Sequence, residues 1–333
     1  MQNSSFRTEV VIPESENKIE VNSKITFIGS CFATNIGNMA SQNRLHTNVN
    51  PHGVLYNPIS ISNSLKDIID NKKIGTDSLV FNNEVWQSFQ HHGKFNNEDK
   101  SEVINQINHE TEAAHNFLKD SHFLIITFGT SYVYKHKELN RIVSNCHKFP
   151  ANNFERYRIG VDYIVDEYIE LFERLNFFNP NLNVILSVSP IRHTRDTLQG
   201  NQLSKSILLL AVEEVIKDKF NASYFPSYEI MMDDLRDYRF YDDSMIQPSE
   251  TAKKYIWDKF IKSYFSESSV RYLREINKIT KALNHKPHNT KSNSYHKFLL
   301  NTEKLIRRVQ LEYRGANLER DLEIVLKGLN SGI

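Results

Sequence analysis

The stretch Lys24-Ile25-Thr26-Phe27-Ile28-Gly29-Ser30-Cys31-Phe32-Ala33-Thr34-Asn35-Ile36-Gly37 decides the reading of this chain. A short β-branched apolar run stops at Gly29, and a helix-compatible pattern begins directly after it. A strand that feeds straight into a helix leaves the first helical N–H groups unpaired and aims the positive end of the helix dipole at the junction. Anions, including a transient oxyanion, are favoured at such a place. Gly29 permits the tight turn, and Ser30 is either a nucleophile or the N-cap of the helix, the cap being the simpler reading of the residues alone.

Working outward, two more continuous apolar runs, Phe123 to Phe128 and Val184 to Val188, read as strands buried on both faces of a parallel sheet, and Ala222 to Phe225 as a fourth. Helix-compatible segments separate them at Asn97 to Leu118, Val161 to Asn176 and Leu198 to Phe220. Alternating strand and helix predicts right-handed βαβ units and an α/β fold with a doubly wound, mainly parallel sheet. The three clearest strands each end in a polar turn: Gly29-Ser30-Cys31, Gly129-Thr130-Ser131, and Ser189-Pro190 followed by Arg192-His193. Ligands of open α/β sheets sit beyond the carboxyl ends of the strands, so these clusters are expected to converge.

Three parts are expected: a polar N-terminal segment 1–23, an α/β domain 24–265 and a helical extension 266–333. In the extension Val270, Leu273, Ile276, Ile279 and Leu283 mark one amphipathic helix, a polar loop runs from His285 to Ser294, and Phe298 to Leu329 reads as one or two more helices. The extension is either a cap over the domain or a homodimer surface. Lys plus Arg number 41 against 40 Asp plus Glu, a formal charge of +1, which speaks against nucleic acid or an anionic membrane as a partner. Two cysteines, Cys31 and Cys146, make no disulfide framework and no metal-ligand spacing. With no apolar leader in Met1 to Ser23 and no run of membrane-spanning length, a cytoplasmic location is expected. No cofactor or metal is expected: nucleotide-loop motifs are absent, and the acidic run Asp233 to Asp243 reads as a solvated helix end.

Gly29-Ser30-Cys31-Phe32-Ala33 is the signature of the GSCFA family, a group that resembles the SGNH (GDSL-like) esterases and acyl hydrolases. Further segments carry the resemblance in order: Asn50-Pro51-His52-Gly53-Val54-Leu55-Tyr56-Asn57-Pro58, Phe128 to Tyr134, Asn145-Cys146-His147-Lys148, Ser189 to His193, and Phe225 to Glu229 running on to Phe240-Tyr241. The resemblance implies an SGNH-type fold and acyl transfer from a small-molecule or carbohydrate ester, by hydrolysis or to another acceptor. It assigns the nucleophile to Ser30, with the Cys31 backbone N–H, the Gly53 amide and the Gly129-Thr130 block as oxyanion or substrate groups. A turn glycine is the other reading of Gly53, and Cys31 is itself a candidate nucleophile at a helix start. Adjacent side chains there diverge by about 100°, so one of the pair faces the site.

Two departures matter. Ser131 stands where the SGNH block has an asparagine donor, which leaves Asn145, followed by His147, as the replacement. Ser244 and Gln247 stand where an Asp-x-x-His base element is expected, and a glutamine cannot accept a proton at neutral pH. His193 is the first candidate to replace the base because it follows a strand end; Arg192 and Lys148 are candidates to hold an acidic group. If no base is supplied, the chain is a pseudoenzyme that binds a ligand in the same cleft.

Overall fold

The computed structural model describes residues 7–217 and 220–330. Parts of three expected segments, residues 1–6, 218–219 and 331–333, lie outside the described residues. Five parallel strands form the central sheet: β1 (Lys24–Gly29), β2 (His46–Val49), β3 (Phe123–Phe128), β4 (Asn183–Val188) and β5 (Ala222–Phe225). Their spatial order is β5-β4-β3-β1-β2. The chain winds outward in both directions from β1, so the order reverses between β1 and β3, the place beyond whose carboxyl ends the ligands of open α/β sheets bind.

Period-two alternation explains why these runs are apolar throughout. Ile25, Phe27, Phe123, Ile125, Ile185 and Phe225 face one layer, while Ile28, Leu124, Ile126, Phe128, Leu186 and Val188 face the other. The second layer is covered by α2 (Pro58–Ile69), α3 (Lys100–Lys119), α4 (Val161–Phe178) and α5 (Thr197–Lys217). The first is covered by α1 (Cys31–Gln42), α6 (Glu250–Tyr264), α7 (Glu267–Leu283), α8 (Asn293–Glu312) and α9 (Glu319–Asn330). The helix starts are written locally. Asn57 accepts the Ser60 N–H with Pro58 as the first helical residue of α2, and Asp99, Ser249, Ser266 and Ser292 cap α3, α6, α7 and α8.

The α/β, doubly wound reading is what the structure has, with a helical C-terminal extension. The boundary expected at 265/266 falls between α6 and α7, yet one apolar cluster crosses it, running from Ile19 and Ile25 through Phe260 to Tyr272, Ile276, Ile306 and Val325. Elements without a sequence signal are β2, α2, α6, a hairpin (Val80–Asn82, Val85–Gln87) and an antiparallel sheet of Tyr132–His136, Arg141–Val143 and Phe154–Arg158. The acidic run differs from its expected form at Asp234. That carboxylate is buried, accepts from Tyr255 Oη at 2.8 Å and pairs with Arg7 at 3.0 Å. Among the described residues no group of three or more His, Cys, Asp or Glu is arranged to hold a metal, and no helix is long and apolar enough to cross a membrane.

Candidate functional site at the sheet switch point

Gly29 closes β1 at φ +134, and a Cβ there would stand 2.2 Å from Thr127 O on the neighbouring strand. Only glycine permits that approach, and it draws the turn against β3. The Ser30 N–H then donates to Thr127 O at 3.1 Å, while Asn50 Oδ1 accepts the Gly29 N–H at 2.8 Å and its Nδ2 donates to Thr34 Oγ1 at 2.8 Å. Asn50 thus staples the turn to the first helical residues of α1.

Ser30 is the N-cap of α1, only 1 % exposed, and its Oγ accepts the Phe32 N–H at 3.3 Å. Cys31, the first helical residue, is half-buried, and its Sγ lies 3.3 Å from Tyr56 Oη. Burial, and then the contact with Cys31, push the Tyr56 hydroxyl above the ordinary phenol range, so Tyr56 stays protonated. The Tyr56 ring meets the His193 ring edge-on with centroids 5.9 Å apart.

His193 is held by its backbone, whose N–H donates to Asn201 Oδ1 at 2.9 Å. Its Nε2 is buried and without a hydrogen-bond partner, and a Cβ on Gly129 would stand 3.4 Å from it. Burial, then the charges of Lys205 and Arg156, lower its pKa to about 4. At neutral pH the imidazole is therefore uncharged. An unpaired buried ring nitrogen is costly unless a ligand or water takes it up.

Beneath the crevice lies a residue the sequence did not flag. Lys205, fully buried on α5, donates from Nζ to Gly129 O at 2.6 Å and Ser189 O at 2.7 Å, tying together the carboxyl ends of β3 and β4. Burial lowers its pKa to about 7. A lysine inside an apparently amphipathic helix reads as a surface residue until the sheet is in place.

Other expected site residues are spent elsewhere. The Gly53 N–H donates to Asn50 O at 2.8 Å inside its own turn, where φ is +85 and the neighbouring His92 leaves no room for a Cβ. The Gly129 and Thr130 N–H groups both donate to Tyr56 O, at 2.7 and 3.0 Å. The Thr130 hydroxyl lies 3.0 Å from Ser204 Oγ, and Ser131 is wholly buried against the same serine. The donors of these groups are thus taken up within the strand-end loops.

Asn145 and His147 belong to another network. Asn145 Oδ1 accepts the His147 N–H at 3.0 Å, and His147 Nε2 donates to Ser88 O at 2.7 Å. The Ser88 hydroxyl meets His91 Nδ1 at 2.8 Å, and the His91 ring abuts His52 at 4.8 Å. The pair expected as substrate groups is therefore a buttress behind the loop that carries Gly53. By contrast, the 242–247 loop, which carries Gln247, is docked beside His193 through Arg192 N–H to Ile246 O at 3.3 Å. Its own O accepts the Asp242 N–H at 2.8 Å, and Ser244 Oγ donates to the Asp242 carboxylate. Arg192 lies over the Tyr241 ring at 6.0 Å. A separate surface groove of about 600 Å³ is lined in part by the ion pairs of Lys66 with Glu167 and Arg174 with Asp70.

An open α/β sheet with a hydroxyl, a thiol and an uncharged histidine gathered at its switch point defines an α/β protein built around a polar strand-end crevice. The chain belongs to the GSCFA family: the family model matches residues 24–260, and that of the GSCFA C-terminal domain matches residues 276–331. Among solved structures it is similar to a family 3 carbohydrate esterase of Clostridium thermocellum, at 11% identity and a TM-score of 0.35 over 76% of this chain and 98% of that one. It is also similar to an acetyl xylan esterase of the rumen bacterium Butyrivibrio proteoclasticus, at 12% identity and a TM-score of 0.35 over 73% of this chain and 64% of that one. No curated protein sequence matches.

Proposed function

We propose that the protein transfers acyl groups from ester substrates, an acylated carbohydrate or small metabolite, through a covalent acyl-enzyme on the Gly29-Ser30-Cys31 turn. One observation carries this reading: the turn, Tyr56 and the unpartnered Nε2 of neutral His193 meet at the switch-point crevice. In this scheme His193 Nε2 takes the nucleophile's proton, directly or through one water. The nucleophile adds to the ester carbonyl, the oxyanion rests on the first N–H groups of α1, and the alcohol leaves with the proton from His193. Water or a second hydroxyl then takes the acyl group and restores the turn.

Within the turn, Cys31 is the better-supported nucleophile. Its thiol is half-exposed and faces Tyr56, whereas the Ser30 hydroxyl is buried and engaged as a cap. Ser30, the nucleophile expected from the sequence, is the second reading, favoured by the length of its cap bond, 3.3 Å, from which the hydroxyl is easily released. The test is a burst of 4-nitrophenol from 4-nitrophenyl acetate with intact-mass detection of the acetylated chain. Cys31→Ser is expected to lose the adduct and at least about a hundredfold in kcat while Ser30→Ala retains both. The reverse ranking makes Ser30 the nucleophile. Absence of any adduct in the parent chain with every ester tried leaves only the ligand-binding cleft.

A further inference from the structure

The antiparallel sheet inserted after β3 presents a patch that the acyl-transfer chemistry leaves unused. Tyr132 pairs across strands with Arg158, and Tyr134 with Arg156, so all four side chains stand on one face. The Arg156 guanidinium lies 4.2 Å from the Tyr132 ring centre and 5.4 Å from that of Tyr134, with Arg158 at 5.9 Å from Tyr132. From the turn directly after His193, Arg195 reaches to 5.8 Å from Tyr134. One carboxylate lies among them: Asp196 pairs with Arg156, and its side chain is only 3% exposed.

The charges do not balance. Elsewhere on the described surface some cations meet carboxylates, as Arg44 does with Asp321 and Lys73 with Glu112. Here Arg158 and Arg195 are exposed and make no ion pair among the described residues, and Arg156 Nε is buried without a hydrogen-bond partner. Stacking on a tyrosine face fixes a guanidinium plane while leaving its N–H edge open for an anionic oxygen. Like charges gathered this closely repel one another unless an anion joins them. Asp196, the partner of Arg156, donates its N–H to His193 O at 3.1 Å, which sets the patch beside the candidate base.

We propose that Arg156, Arg158 and Arg195, held on Tyr132 and Tyr134, form an anion subsite that binds a carboxylate-bearing part of the ester substrate, such as a uronic acid, next to His193. The assignment of that anion to a substrate rests on the acyl-transfer reading above; the binding itself does not. The specificity that follows is for anionic over neutral esters, with the carboxylate anchored outside the crevice and the ester carbonyl inside it.

The test is calorimetric titration with sodium glucuronate as the anionic probe and glucose as its neutral counterpart. The full chain is compared with the Arg158→Gln/Arg195→Gln variant, whose changes are both at exposed positions, and with Arg156→Lys. Glucuronate is expected to bind the parent chain, to bind the double variant at least about tenfold more weakly, and to lose affinity as salt rises from about 0.05 to about 0.5 M. Glucose is expected to bind neither. Equal glucuronate affinity in parent and double variant, or no glucuronate binding by the parent, overturns the proposal. Glucuronate binding by a parent chain that forms no acyl adduct with any ester tried upholds the subsite while sinking the acyl-transfer reading.

Discussion

Acidification should destabilise this protein through His52, and the structure sets the size of the effect. His52 is buried with both ring nitrogens engaged: Ser64 Oγ lies 2.8 Å from Nδ1 and Thr111 Oγ1 lies 2.9 Å from Nε2. Thr111 Oγ1 already donates to Ile107 O at 2.8 Å, so it accepts from Nε2–H, and Nδ1 in turn accepts from Ser64. A second proton would disrupt that arrangement. Burial, and then the Lys94 charge, lower the His52 pKa from 6.5 to about 4. A depressed histidine pKa means that the unfolded chain binds the proton more readily, so the stabilisation is complete above pH 6.5 and is lost as pH falls toward 4. Between about pH 7.5 and about pH 5 this one group removes roughly 2 kcal/mol, a large share of the roughly 5–15 kcal/mol that typically holds a domain folded. His91, whose pKa is lowered by its burial and by the neighbouring His52 charge, acts in the same direction. Urea denaturation at the two pH values measures the loss, and His52→Gln should cancel about 2 kcal/mol of it whatever the substitution costs at pH 7.5. If the variant shows the same pH dependence as the parent chain, His52 is not the group that titrates, and the reasoning fails.

Two further outcomes test the crevice. Lys205→Met keeps the length of the side chain but removes the donors to Gly129 and Ser189, so acyl transfer should fall at least about tenfold, while the acid limb of the rate profile moves upward as His193 loses a neighbouring charge; an unmoved limb would leave Lys205 a purely structural tie. His193→Ala should abolish acyl transfer, and Ser244→Asp with Gln247→His, which rebuilds the missing base element in a loop docked on Arg192, should restore it when measured with 4-nitrophenyl acetate. A rebuilt chain that turns over when the parent does not marks the parent as a binding protein.

The central strands were legible because they are covered on both faces, which turns a buried position into a continuous apolar run; Phe123 to Phe128 coincides with an observed strand and Val184 to Val188 lies within one. β2, His46–Val49, left no such signal because it lies at the sheet edge and carries polar residues. The ends of β1, β3 and β4 lie side by side in the sheet, and Gly129 lies against His193 there. What each group does there was not legible, since it depends on where its hydrogen bonds go. The Gly53 and Gly129 amides are consumed by carbonyls distant or adjacent in sequence, and His147 by Ser88 O, partners that only the folded chain supplies. Lys205 was missed for the same reason: its two acceptors belong to different strands.

The apolar cluster that joins one face of the sheet to α7, α8 and α9 has a consequence for how the chain comes off the ribosome. Ile25, Phe27, Phe123 and Ile125 are synthesised long before Tyr272, Ile276, Ile306 and Val325, the side chains that help cover that layer. A nascent chain that stops near residue 265 therefore carries a finished crevice on one edge and an incompletely covered greasy flank, the condition under which partly made proteins stick to one another or recruit chaperones. Loss of the last helices would likewise uncover the apolar layer that Tyr272, Ile276, Ile306 and Val325 help to close.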